Sequence, residues 1–407
     1  MKRRQFLTRS ALLGASALGS VGVHGWLWKG TAKAANTPRL IVVMLRGAAD
    51  GLNIVAPYQE SRYYIERPYI AIPKPGETDG LLDLDGQFGL HPALESLMPE
   101  WEAGNLAFVQ ATGSPHHTRS HFQAQDYLES GTPGTSSTSN GWLNRLLTAL
   151  PEGGATQALT MNSGGSLPLI FKGPESVSVL NVNNAGNPRF TADQRGAQSA
   201  FDQLYTGSST LSRVYQEGRQ AQGMLMEELD EEEIQASRGA PNAERFANTT
   251  RSLARLMTGD TGTQVAFLEV GGWDMHVAAK GALPRQLEPL GNGLAALTKE
   301  LGELYENTTI VVISEFGRTV GENGNGGTDH GHGNAMWLLG GGVRGRKVYG
   351  EWPGLGTANQ YEGRDLAVTT DFRDVLMSLF AQQFDLGDRA LAQVFPGHRQ
   401  QTRLTLL

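Results

Sequence analysis

The chain of 407 residues contains no cysteine. Disulfides, thiolate metal sites, cysteine nucleophiles and cysteine-held iron–sulfur clusters are therefore excluded. Aromatic residues are sparse at 8% and charged residues at 18%, and the 34 basic side chains are outnumbered by 41 acidic ones, for a formal net charge of −7. The positive charge is also uneven. Residues 1–34 hold Lys2, Arg3, Arg4, Arg9, Lys29 and Lys33 and no acidic residue. The remainder is more acidic still, which makes it a poor surface for nucleic acid or anionic lipid. Histidine is scarce as well, at nine. What the chain does have is 39% hydrophobic residues, enough for a sizeable core, so disorder throughout is excluded. At roughly 100–200 residues per domain, the length allows two or three domains or one large α/β domain with insertions.

The first segment reads as an address. Arg3-Arg4-Gln5-Phe6-Leu7 precedes a moderately apolar stretch from Ala11 to Trp28 that is diluted by Gly14, Gly19, Gly22 and Gly25. Ala32-Lys33-Ala34 then offers a small-x-small cleavage pattern. The arrangement resembles a twin-arginine (Tat) export signal over residues 1–34, which implies passage through the Tat translocase and a periplasmic or secreted mature protein. An ordinary secretory signal or an uncleaved anchor is the alternative. No later run approaches about eighteen apolar residues, so no membrane span is expected after cleavage.

The rest alternates strands with helices. Leu40–Leu45, Leu106–Ala111, Gln264–Val270, Thr309–Ile313 and Ala335–Leu339 are short apolar runs that end at turn residues, and they read as strands. Helices are expected over Ser120–Ser130, over residues 200–256, over Leu283–Glu306 and from Asp371 onward. Residues 151–199 read as an insertion or a small sheet, and the acidic run Glu227–Glu233 as a solvated helix face. Such alternation predicts an α/β fold with a mostly parallel central sheet and helices on both faces. We expect a single domain over residues 35–407 with insertions near 131–260.

In open sheets of this kind ligands bind beyond the carboxyl ends of the strands. Asp50, Asp274 with His276, Glu315, and the loop Asp329-His330-Gly331-His332 all hold that position. Six of the nine histidines (His116, His117, His121, His276, His330 and His332) fall in Gly/Ser/Pro-rich surroundings. Carboxylate oxygen and imidazole nitrogen in short reach suit Zn²⁺, Mn²⁺ or another divalent ion. A hydrogen-bonded loop side chain is the bland reading of any one of these histidines. Ser120 is either the cap of a helix, in the box Ser120-x-x-Gln123, or a nucleophile at a helix N-terminus, with Thr118 as its nearest rival. Arg119 could neutralise an oxyanion, and Arg318 could do so or pair with Glu315.

Leu45-Arg46-Gly47-Ala48-Ala49-Asp50-Gly51-Leu52-Asn53, Ser120-His121-Phe122-Gln123-Ala124-Gln125, Gly271-Gly272-Trp273-Asp274-Met275-His276, Ser314-Glu315-Phe316-Gly317-Arg318-Thr319 and Asp329-His330-Gly331-His332-Gly333 together resemble the bacterial family called domain of unknown function 1501. That family is similar to the alkaline phosphatase/sulfatase superfamily. The resemblance implies an alkaline-phosphatase-like fold and a two-metal site, with Zn²⁺, Mn²⁺, Mg²⁺ or Ca²⁺ hydrolysing a small phosphate or sulfate ester. It implies metal ligation by Asp50, by Asp274 with His276 and by His330 or His332, and a nucleophile at Ser120; read from the residues themselves, Glu315 and Asp329 join the candidate metal ligands, and Arg119 and Arg318 the candidate catalytic residues. One departure stands out. The superfamily has Asp-His-Gly after the penultimate strand, whereas this chain has Ser314-Glu315-Phe316-Gly317. Two functions follow as expectations: a metal-dependent ester hydrolase, or a non-catalytic binding or assembly protein that kept the fold and lost part of the site.

Overall fold

The structure is a computed structural model and describes residues 37–150, 157–162, 167–175, 177–181, 233–259 and 263–407. The export segment 1–34 and the acidic run up to Glu232 lie outside the described residues. Nine strands form the main sheet: β1 (Arg39–Leu45), β2 (Leu106–Gly113), β3 (Gln157–Asn162), β4 (Ser178–Asn181), β5 (Thr263–Val270), β6 (Thr308–Ser314), β7 (Asn334–Leu339), β8 (Lys347–Tyr349) and β9 (Thr370–Asp371). Their order is β8-β2-β7-β6-β1-β5-β3-β4, with β9 also paired to β2. β3 and β4 thus extend the main sheet beyond β5, where residues 151–199 had read as an insertion or a sheet of their own.

Strand β1 sits in the middle, parallel to β5 on one side and β6 on the other. All seven of its residues are buried. A strand buried on both faces reads as a continuous apolar run, because alternate side chains feed two cores. Ile41, Val43 and Leu45 pack in one core with Leu287, Leu290 and Leu294 of helix α4 (Ala279–Leu301) and Phe246 and Leu253 of α3 (Phe246–Thr258). Leu40, Val42 and Met44 pack in the other with Leu143 and Leu146 of α2 (Trp142–Ala149) and Leu376 and Phe380 of α5 (Phe372–Phe384). Asp371 caps α5 as its acidic start suggested, accepting a hydrogen bond from the Arg373 amide at 2.9 Å. No helix among the described residues is long and apolar enough to cross a membrane.

Strand β7 is the exception to parallel order. It runs antiparallel to both of its neighbours, β2 and β6. Its start therefore lies at the same sheet edge as the carboxyl ends of β1, β2, β5 and β6. Segments that follow four strands and the segment that precedes a fifth are thereby delivered to one place. Helix α1 (His121–Ser130) begins after β2 at that edge and ends at Gly131, which takes the left-handed conformation with φ 68°.

A candidate metal centre at the carboxyl edge of the sheet

Four side chains converge there: His121 at the start of α1, Asp274 and His276 after β5, and His330 before β7. His121 Nε2 lies 2.9 Å from His330 Nε2 and 3.3 Å from Asp274 Oδ2. His276 Nε2 lies 3.0 Å from His330 Nε2 and 2.9 Å from Asp274 Oδ1, while His330 Nε2 is 3.1 Å from that same oxygen. Donors bound at about 2.0–2.1 Å around a tetrahedral ion sit roughly 3.3 Å apart, and His121, Asp274 and His330 could hold a metal ion.

The tautomers sharpen this point. His121 Nδ1 faces Glu315 Oε1 at 2.8 Å, and His330 Nδ1 faces the Arg119 carbonyl at 3.0 Å. His276 Nδ1 points to Asp329 Oδ1 at 3.6 Å. The Glu315 carboxylate and the Arg119 carbonyl can only accept, so the neutral rings of His121 and His330 carry their proton on Nδ1. Their two Nε2 lone pairs then meet each other and a carboxylate, an arrangement that repels itself unless a cation or proton lies between. Asp274 Oδ2 is buried and lacks a hydrogen-bond partner. The electrostatics carry the same demand for positive charge. Burial opposes charge on His121, but the carboxylates of Asp274 and Glu315 outweigh it and push the imidazole up to about 9. Burial likewise opposes the Asp274 carboxylate, yet the three imidazoles and Arg318 hold it well below the usual carboxylate range.

Behind the donors stands a fixed second layer. Glu315, only 1% exposed, accepts from the Gly47 amide, His121 Nδ1 and Gln125 Nε2 at 2.8, 2.8 and 2.9 Å. It orients His121 rather than reaching the cluster, the usual carboxylate–histidine arrangement behind a metal ligand. Arg46 continues the network, reaching Gln125 Oε1 at 2.7 Å, Glu129 Oε1 at 2.8 Å and Glu269 Oε1 at 2.6 Å. Arg318, 2% exposed, donates to Asp274 Oδ1 and to the carbonyls of Gly47, Ala48, Trp273 and Thr328. Phe316 forms an apolar wall against the rings of His121 and His330, with centroids 4.9 and 5.2 Å away. Two glycines make this crowding possible. Gly47 has φ +112°, and a Cβ there would sit 2.7 Å from the Asp274 amide nitrogen; a Cβ at Gly317 would sit 1.8 Å from the Gly333 carbonyl oxygen.

Other expected site residues are placed elsewhere. Asp50 pairs with buried Arg67 at 2.7 Å instead of joining the histidines. His332 packs against the Tyr361 ring at 4.7 Å, whereas His330 faces His121, His276 and Asp274. Asp329 stands behind His276, largely exposed. Arg119 pairs through Nη2 with Glu362 and Asp365 at 2.6 and 2.7 Å while its Nε has no hydrogen-bond partner, whereas Arg318 is held by buried partners on every side. The Ser120 box is not formed either. Ser120 makes no side-chain cap hydrogen bond, and Thr118 Oγ1 instead accepts from the Ser120 amide and donates to Gln123 Oε1. The Ser120 hydroxyl is exposed and makes no hydrogen bond among the described residues. His121 was counted among the histidines but not assigned as a ligand. Its signal was the spacing His121, Gln125, Glu129: three polar residues at every fourth position of one helix, all buried.

With this geometry established, relatives can be compared. The chain belongs to the family described as protein of unknown function (DUF1501), whose model matches residues 37–395. No curated protein matches it. Among solved structures it is similar to a Vibrio parahaemolyticus protein in the alkaline phosphatase superfamily, with 13% identity and a TM-score of 0.41 over 94% of this chain and 76% of that one. It is also similar to the C-terminal periplasmic domain of EcEptC from Escherichia coli in complex with Zn, with 12% identity and a TM-score of 0.37 over 76% and 74%. A third is the lipoteichoic acid synthase LtaP from Listeria monocytogenes, with 8% identity and a TM-score of 0.40 over 92% and 78%.

Proposed function

We propose that this protein is an exported, metal-dependent hydrolase of phosphate or sulfate esters. The observation that carries the reading is the convergence of three imidazole Nε2 atoms on the Asp274 carboxylate, at 2.9–3.3 Å. His121, Asp274, His276 and His330 would hold the ion. Three nitrogens and one oxygen suit Zn²⁺ or Mn²⁺ better than the all-oxygen preference of Ca²⁺ or Mg²⁺. A bound divalent ion would polarise the ester and offset charge that develops on it. Exposure rises from 1% at Asp274 through 6% at His121 to 13% at His330 and 16% at His276, so substrate would approach from the His276 side. Ser120 stands beside His121 with its hydroxyl unused, next to the N-terminal end of α1, where helix dipole and amide groups favour a transferred anion. Its oxygen would attack phosphorus or sulfur as the hydroxyl proton passes to solvent. The ester oxygen would leave and be protonated by water, and a second water would release the acid from Ser120.

Ser120→Ala is the test. We expect metal content and melting temperature to stay unchanged, because the hydroxyl caps nothing. Turnover of a panel of phosphate and sulfate esters should fall at least about a thousandfold. Full activity in the variant would remove Ser120 from the chemistry. The commitment of Arg318 to Asp274 and backbone carbonyls favours a second reading, a binding or assembly protein without turnover. In that case the zinc- or manganese-loaded wild type hydrolyses no ester of the panel.

Export is proposed on the Arg3-Arg4 segment. Replacing both arginines with lysine should leave precursor in the cytoplasm, while the exported wild type should begin at Ala35 by intact mass. Normal export of the lysine variant would contradict the Tat route.

A further inference from the structure

We infer that this centre holds a single divalent ion, and that the Arg318 guanidinium stands in for the positive charge a two-ion site would place there. The inference rests on the metal-centre reading above and departs from the two-metal pattern that the family resemblance implies. A second ion would lie about 3.5–4 Å from the first and needs carboxylates of its own. Most of those around the cluster are already matched. Asp274 serves the first ion and also accepts from Arg318. Glu315 Oε1 accepts from the Gly47 amide, His121 and Gln125, while its Oε2 faces the Ser314 hydroxyl, which donates to the Leu45 carbonyl at 2.6 Å. Asp329 is exposed and accepts from Asn323 Nδ2 at 3.1 Å. Asp365 is held by Arg119 and Arg364 at 2.7 and 2.9 Å. Glu129 and Glu269 share Arg46.

Charge leads to the same conclusion. At the centre, two carboxylates and one buried guanidinium leave a single negative charge. One dication already overcompensates it. Without bound substrate, a second would leave a buried excess of positive charge, and such an excess is costly. Asp50 also has an oxygen to spare, since Oδ1 is buried without a partner. Its other oxygen receives Arg67 Nη1 at 2.7 Å, and Arg67 is itself fully buried and tied to the carbonyls of Thr319 and Val320. A dication at Asp50 would therefore face a fixed guanidinium. Asp50 is the residue to test.

The mature chain is saturated with Mn²⁺, freed of excess ion, and examined by elemental analysis and electron paramagnetic resonance. We expect one ion per chain, the spectrum of an isolated Mn²⁺, and no change of either in Asp50→Asn. Two ions per chain with an exchange-coupled spectrum, reduced to one by Asp50→Asn, would overturn the single-ion inference and leave the metal centre standing. A chain that binds no ion would overturn both. The wild-type count decides the matter even if Asp50→Asn fails to fold for want of a partner for Arg67.

Discussion

His121→Ala should weaken Zn²⁺ binding at least about a hundredfold, measured by competition with a chromophoric chelator, while the protein stays folded. His121 supplies one of four donors, and removing it costs more than the 10–100-fold typical of a residue in the layer behind. Glu315→Ala should fall within that lower range, because the His121 ring then loses the acceptor that fixes its tautomer. Glu315→Gln should recover part of the loss, since an amide oxygen can still accept from Nδ1. A His121→Ala variant that binds zinc as tightly as the wild type would take the residue out of the centre. Equal affinities for Glu315→Ala and the wild type would reduce Glu315 to a packing residue.

Arg318→Ala should be the most destabilising single change near the site. Its guanidinium satisfies four backbone carbonyls and Asp274 at once, with 2% exposure. Truncation leaves a buried carboxylate without its cation and several carbonyls without donors. Breaking a buried ion pair costs about 3–5 kcal/mol, and orphaned polar groups add to it. A fall in melting temperature of roughly 5–10 °C is expected for the ion-free protein. Arg318→Lys should recover only part of this, because one ammonium cannot reproduce the planar fork. Saturating zinc should restore stability to the alanine variant by mass action if Asp274 still binds the ion. A melting temperature within a degree or two of the wild type would show that the network is not holding this edge together.

The sheet was readable because its central strands are apolar runs buried on both faces. Leu40–Leu45, Gln264–Val270 and Thr309–Ile313 could hardly be anything else once helical stretches separated them. The direction of β7 was not readable, since an apolar hexamer carries no sign of which way it runs. Yet that reversal is what brings His330 to the edge shared by Asp274 and Glu315. Asp274, His276 and His330 were found as candidates because carboxylate and imidazole sat together in turns after or before strands. Three other residues were misjudged for one physical reason: a side chain's partner can be distant in sequence. Asp50 is taken by Arg67, Glu315 by His121, and Arg119 by Glu362 and Asp365. His121 was overshadowed by its neighbour Ser120, whose place at the helix start suggested both a cap and a nucleophile. No side chain caps the helix, Thr118 bridging the Ser120 amide and Gln123 instead, and the imidazole next door faces the cluster. Phe316, which marked the departure from the superfamily motif, is a packing residue beside a histidine contributed from α1.

The most direct measurement is X-ray absorption at the zinc edge of the zinc-loaded mature protein. The account predicts a first shell of nitrogen and oxygen at about 2.0–2.1 Å, with outer-shell scattering from three imidazoles in the wild type and two in His121→Ala. A wild-type spectrum without imidazole scattering, or one unchanged by His121→Ala, would contradict it.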